Sequence, residues 1–288
     1  MTNRREFIAG GLALLAPSIL HAGARAPLTI KQVIDLIQAE VPGGAFAGSV
    51  DTVKAGDVHE PVKGIVTTMF ATDVVIGKAA AAGANFIIAH EPTFYNHQDE
   101  TDWLKGDKVV GYKKSLLEKH GIVVWRFHDG IHTLRPDGVL MGLLMAMGWD
   151  KYYNAGEPEM VTIPATSLKD IIEHAKTALG IERVRVIGDL SMSCQRVLVM
   201  PGAAGGHAQI SMLKKYEPDV LITGEVAEWE TAEYVRDARQ QGLQRSLVVL
   251  GHAVSEEAGM EWMVSWLEKR VQGVKVTHIP SGSPFSFV

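Results

Sequence analysis

The sequence predicts an α/β fold of two lobes with largely parallel sheets, and three observations carry that prediction. After residue 26, short apolar runs alternate with amphipathic segments, each bounded by glycine or by an Asp or Thr cap. Three of the runs end in a histidine with a carboxylate close by: His90-Glu91, His128-Asp129, and Gly251-His252 with Glu256 four positions on. Ligands of open α/β sheets bind outside the carboxyl ends of strands, so these three ends are expected to converge on one site shared by both lobes.

Residues 1–26 are set aside first as a twin-arginine-type signal peptide. Asn3-Arg4-Arg5-Glu6-Phe7-Ile8 precedes an apolar stretch over 9–20, and Ala24-Arg25-Ala26 offers a small-residue cleavage site. The stretch is short of the roughly 17–25 residues a membrane span needs, so no stable span is expected after processing. The expected location is periplasmic or otherwise exported. Cys194 is the single cysteine, so no intramolecular disulfide can form, and stability must come from the core or from metal.

The periodicity then predicts a helix over 30–39 and a strand over 64–70. A helix capped by Thr72 or Asp73 runs to Ala82 and stops at Gly83, before a strand over 85–89 delivers His90. A polar and aromatic loop over 92–105 leads to a helix over 107–120 stopped by Gly121. The strand 122–127 delivers His128, and a helix over 137–147 closes the first lobe, 27–155. Residues 156–164, with two prolines, read as the connection to a second lobe, 156–288. There the pattern gives a helix over 168–179, strands over 184–187 and 196–199, and a Gly-rich turn, Pro201 to Gly206, leading into a helix. That turn lacks the Lys and Ser/Thr of a phosphate loop and reads as a tight structural turn. A strand over 220–223, a helix over 226–240, a strand over 246–250, a helix over 256–270 and a strand over 274–278 complete the chain.

Imidazole and carboxylate ligands without thiolates suit zinc, iron, manganese or nickel better than calcium, and they argue against a closed structural zinc site. Glu225, on the loop after a neighbouring strand, is positioned by the pattern to act as general base, to orient a ligand, or to sit at a helix start as a dipole-stabilised carboxylate. His97 follows the first cluster and is within reach of a substrate. His59, His120, His174 and His278 have no ligand-type neighbour at a strand end. The formal charge is −5, and the leader carries Arg4, Arg5 and Arg25 against Glu6, so the remainder sits at −7. With no basic stripe, a nucleic-acid partner is not expected.

Ala89-His90-Glu91-Pro92, the His128 strand end, Leu221-Ile222-Thr223-Gly224-Glu225 and Gly251-His252 to Glu256 together resemble the Nif-three-like dinuclear metal family, whose members are often labelled GTP cyclohydrolase I type 2 homologues. The resemblance implies two divalent metal ions, a homo-oligomer in the form of a ring-shaped hexamer, and His90, His128, His252 and Glu256 as ligands. Two positions depart from the family pattern. Glu91 stands where the family has a second His, and His132 stands where it has an Asp, which exchanges a ligand of each kind and preserves four imidazoles and two carboxylates. Asp129 is the alternative to His132 as ligand. The implied chemistry is metal-dependent hydrolysis or ring opening of a small molecule through a metal-activated water, with Glu256 as bridging carboxylate and two metals about 3.5–4 Å apart. The alternative is a metal-binding or metal-delivery protein without turnover, and a third reading is a scaffold whose metal supports folding. An open coordination position facing a cavity discriminates catalysis from storage.

Overall fold

The computed structural model describes residues 27–44 and 47–288. The expected signal peptide lies outside the described residues. Among the described residues ten strands form two five-stranded sheets. The first contains β1 (Val53–Ala55), β2 (Ile65–Thr68), β3 (Phe86–Ala89), β4 (Val123–Arg126) and β10 (Val276–His278), in the order β1-β4-β3-β2-β10. The second contains β5 (Met160–Ser167), β6 (Arg185–Ile187), β7 (Ser193–Met200), β8 (Val220–Thr223) and β9 (Ser246–Val249), in the order β5-β7-β8-β9-β6. Both sheets have parallel centres with antiparallel strands only at their edges: β1 in the first, β5 and β6 in the second.

Every residue of β2, β3, β4, β8 and β9 is buried, which is why these strands read as continuous apolar runs rather than alternating ones. Alternate residues point to opposite faces. In the first sheet Ile65, Phe86, Ile88 and Trp125 pack against α1 (Ile30–Ala39) and α9 (His252–Glu268). Val66, Ile87 and Val124 pack against α2 (Asp73–Ala81) and α3 (Lys108–His120). In the second sheet Val197, Val220, Ile222 and Val248 meet α5 (Gly138–Ala146) and α6 (Leu168–Leu179). The opposite face, with Leu198, Leu221 and Leu247, is covered by α7 (Gly206–Tyr216) and α8 (Glu233–Gln240). Fully burying each such side chain contributes about 1.5–3 kcal/mol, so these four layers dominate the stability.

The caps agree with the sequence. Thr29, Thr72, Asp107, Asp137 and Ser167 each accept a hydrogen bond from a backbone N–H of the first helical turn, and Gly121 and Gly180 end α3 and α6 in the left-handed conformation.

Several expectations are corrected. Residues 156–164 are not merely a connection, because β5 begins at Met160 and runs through Pro164. It is an edge strand whose register shifts between Thr162 and Thr166, and an edge bulge tolerates a residue without an N–H. The last helix starts at His252, not at Glu256, with Gly251 at φ 105° making the corner. The helix expected over 226–240 opens as a π-turn, Glu228–Ala232, that carries Thr231 inward, where its hydroxyl donates to Gln209 Oε1. The edge strand β1 and the five-residue α4 (Asp129–Thr133) were too short to leave a periodic signal. Finally, β10 pairs with β2 and α9 packs on the first sheet, so the second lobe is inserted into the first rather than forming the carboxyl-terminal half. The α5 and α9 helices cross between the two sheets and join the lobes.

Candidate metal centre

Four strand ends supply the site. His90 directly follows β3, where its backbone N–H donates to Thr68 O and that of Glu91 donates to Met69 O, prolonging the ladder past the last paired residue. His128 directly follows β4. The Asp51 carboxylate accepts the backbone N–H groups of His128, Asp129 and Gly130 at 2.7–2.9 Å, which fixes the start of α4 and turns His132, one helical turn on, to the same side as His128. Beyond β9, His252 and Glu256 lie one turn apart at the start of α9. Glu225 follows β8 by two residues.

The structure brings His90, Glu91, His128, His132, His252 and Glu256 together. The His90 ring lies 4.7 Å from that of His128 and 5.1 Å from that of His132, and the rings of His128 and His132 are 5.2 Å apart. Glu256 Oε2 is 3.0 Å from His252 Nε2 and 3.4 Å from His90 Nε2. Glu91 Oε1 is 3.4 Å from His252 Nε2 and 3.6 Å from His128 Nε2. Gly202, at the end of β7, lets its backbone press on this cluster: a Cβ there would fall 2.0 Å from Glu256 Oε1, and its φ of 68° also favours glycine. The Gly-rich turn is therefore a close-approach device.

All four imidazoles are held from behind through Nδ1. His90 Nδ1 faces Phe127 O at 3.3 Å, His128 Nδ1 faces Asp129 Oδ1 at 2.8 Å, His132 Nδ1 faces Asp137 Oδ2 at 2.9 Å, and His252 Nδ1 faces Glu225 Oε1 at 3.1 Å. An acceptor at Nδ1 selects the Nδ1–H tautomer when the ring is neutral and leaves the Nε2 lone pair pointing into the cluster, as a metal ligand requires. Asp129 and Glu225 thus sit behind His128 and His252, and Asp129 also accepts from Val50 N. Sequence reasoning placed Asp137 only as the first residue of a helix and missed its hold on His132. It also missed Asp51, and it missed Arg126, whose signal was a cation inside the apolar run of β4. Arg126 is fully buried, donates to His90 O and His97 O, and pairs with Glu91 Oε2 at 3.3 Å, which leaves Glu91 Oε1 to face the cluster.

His97 stands at the rim, its ring edge-on to His128 with centroids 5.7 Å apart. His174 and His278 lie elsewhere, bonded to Met147 O and Thr67 O.

The electrostatics follow from this crowding. Burial disfavours charge on His252, but contacts with Glu256 and Glu91 overcome it and push its pKa up to about 10. Burial likewise opposes ionisation of Glu256 and Glu91, yet the surrounding imidazoles hold both carboxyls below their usual range, Glu256 furthest. Burial and the neighbouring His90 lower His128, whereas Asp137 raises His132 against its burial. A proton on His252 thus balances carboxylate charge that a cation would otherwise meet. Among the described residues, buried His90 Nε2 and Glu256 Oε2 have no hydrogen-bond partner of good geometry despite their proximity. Unpaired buried donors and acceptors cost roughly 1–3 kcal/mol each, and a cation among them removes that cost. The donor set fits a divalent metal: His90, His128 and His132 offer one convergent group of ligand atoms, and His90, Glu91 and Glu256 a second. The cluster opens on a cavity of about 780 Å³ between the lobes.

Two sheets with parallel centres, presenting histidines and carboxylates at their carboxyl ends beside an interlobe cavity, define an α/β protein with a candidate metal centre. The chain belongs to the Duf34/NIF3 (NGG1p interacting factor 3) family, whose sequence profile matches residues 28–284. It is 24% identical over 242 residues to the GTP cyclohydrolase 1 type 2 homolog of Clostridium perfringens, covering 80% of this chain and 87% of that one. It is 26% identical over 230 residues to the protein of the same name from Escherichia coli K12, covering 78% and 87%. Among solved structures, the Staphylococcus aureus hypothetical protein SA1388 has a similar fold, with a TM-score of 0.73 and 19% identity over 91% of this chain and 100% of that one. The family and fold implied by the sequence motifs are thereby shown.

Proposed function

We propose that the protein is a two-metal hydrolase acting on a small molecule, with His90, Glu91, His128, His132, His252 and Glu256 as ligands. The observation that carries this reading is the set of four imidazoles, each anchored through Nδ1, with the Nε2 atoms of His90, His128 and His252 3.0–3.6 Å from two buried carboxylates. The cavity beside the cluster favours turnover over storage, since ligands that merely store a metal need no room for a substrate. Divalent cations bound there supply Lewis acidity, polarising a substrate oxygen and lowering the pKa of water toward neutrality. The chain's own groups do the rest. Glu256, in contact with both His90 and His252, is the bridging carboxylate between them. Glu225 positions His252, and Asp137 positions His132. His97, exposed at the rim, is the side chain placed to pass a proton to a leaving group.

Metal uptake is expected to release protons, and this tests the ligand set. His252, with its pKa raised to about 10, is protonated at neutral pH and must become neutral to bind. Affinity should therefore rise with pH, about tenfold per unit for each proton released. Calorimetry of zinc binding in buffers of different ionisation heat reads the proton count. A count of zero between pH 7 and 8 rejects His252 as ligand, and a metal-loaded protein inert across a panel of amides, esters and phosphate esters rejects the hydrolase.

The Arg4-Arg5 pattern further supports export through a twin-arginine route. With both replaced by lysine, precursor should accumulate in the cytoplasm; unchanged export would count against that route. Among the described residues no helix is long and apolar enough to cross a membrane.

A further inference from the structure

The wall of the cavity outside the metal cluster is chemically one-sided. Pro136, Leu140, Tyr153, Pro158, Met200 and Pro201 line it, and three of these six are prolines whose fixed φ makes the wall largely preformed. Beyond the cluster, His97 and Asp137, its charged residues are Arg135 and Glu159. Arg135 follows α4 by two residues, and its Nη1 donates to the carbonyls of His132, Thr133 and Leu134 at 2.8–3.2 Å. Those bonds hold the guanidinium at the mouth of the cavity. Among the described residues its Nε and Nη2 donate to nothing, so one face of the fork is left for a ligand. The two other cations of this region are already committed. Arg126 pairs with Glu91, and Lys54 pairs with Asp99 at 3.1 Å; both are buried and neither lines the cavity.

Resting on the metal-site reading above, we propose that this cavity takes a compact ligand of three parts. An oxygen-rich head such as an amide or ester reaches the metal cluster, an aromatic or heteroaromatic body lies on the proline-rich wall, and a single anionic group is held by Arg135. Away from the cluster, the charge inventory does not suit a polyphosphate tail. A triphosphate carries about four negative charges. The wall answers with one arginine, and the carboxylate of Glu159 repels any second anionic group. The ligand class is therefore an aryl or heteroaryl amide or ester bearing one carboxylate or monophosphate.

Hydroxamates test this directly, because their two oxygens chelate metal and their substituents can be varied. Zinc-loaded protein is titrated calorimetrically with acetohydroxamate, benzohydroxamate, 4-carboxybenzohydroxamate and GTP. Benzohydroxamate should bind roughly tenfold or more tightly than acetohydroxamate, since the ring buries apolar area on the wall. The carboxylate should add about fivefold or more, and Arg135→Gln should erase that increment while leaving the aryl gain intact. Arg135→Lys should restore part of it, which a purely structural role for the arginine would not predict. GTP should bind more weakly than the carboxyaryl probe. Equal affinities of the acetyl and aryl probes, or tighter binding of GTP, overturn the proposal, and neither comparison needs a variant to fold. If zinc is not taken up, the metal-site reading falls and this proposal with it. If zinc and acetohydroxamate bind but the ring adds nothing, only the ligand class is refuted.

Discussion

On the two-metal reading proposed above, Glu256→Gln should lower the metal content from two ions per chain to one or none and weaken any remaining site by about 100-fold or more, given that even indirect partners of ligands account for 10–100-fold. Glu256 is only 3% exposed, with one oxygen 3.0 Å from His252 and 3.4 Å from His90, so it is the carboxylate that touches both of these imidazoles. An amide keeps the shape but removes the charge that opposes two cations, and its NH₂ turns a donor on one of the imidazoles. The same change removes one of the two carboxylates that raise His252, so the His252 pKa should move down and fewer protons should be released on zinc binding. Elemental analysis after gel filtration, paired with the calorimetric proton count, reads both effects. Two tightly held metals in the variant would remove Glu256 from the bridging role.

Gly142→Ala should destabilise the protein by about 3 kcal/mol, the upper part of the range for overpacking a well-filled interior. Its sign is informative, since glycine to alanine inside a helix ordinarily stabilises by about 1 kcal/mol. Here a Cβ would fall 2.4 Å from Ala258 O and 2.5 Å from Gly259 Cα. Gly259 in turn has no room for a side chain, because its Cβ would meet Val139 Cα at 2.6 Å. The obstacles are backbone, so α5 and α9 must move apart. At about 2–4 °C per kcal/mol for a chain of this size, the melting temperature should fall by roughly 6–12 °C. The metal site should weaken as well. Asp137 caps α5 and holds His132, while α9 carries His252 and Glu256, so separating the helices separates the ligands. Thermal and urea unfolding measure the first effect and zinc titration the second. A melting temperature at or above that of the parent would show that the crossing is not rigid.

Much of this was legible because the relevant signals are local. The strands that deliver His90, His128 and His252 are buried on both faces and therefore appear as short apolar runs, and the helices between them announce their ends through Thr72, Asp107, Gly121 and Asp137. Motif spacing added the family, and the ligand types could be listed before any coordinates. What failed was also physical. Pro164 argued against a strand, yet β5 is an edge with a bulge and needs no donor there. The start of α9 was read four residues late, since Gly251-His252 read as the end of a strand when the corner is a single glycine with positive φ.

By itself the sequence determined which residue types were available, that they stood at strand ends, and that the sheets were parallel-centred, because these depend on neighbours within a few positions. Only the tertiary structure decided that β10 returns to pair with β2 and makes the second lobe an insertion. It alone decided that Asp129, Asp137 and Glu225 stand behind imidazoles, and that Arg126 takes one oxygen of Glu91. It alone gathered Pro136, Leu140, Tyr153, Pro158, Met200 and Pro201 into one cavity with the cluster. Apart from Asp129 with its neighbour His128, these contacts join residues on separate elements, and most lie far apart in the chain. Their geometry is set by helix crossings and sheet order, which no local pattern of residues encodes.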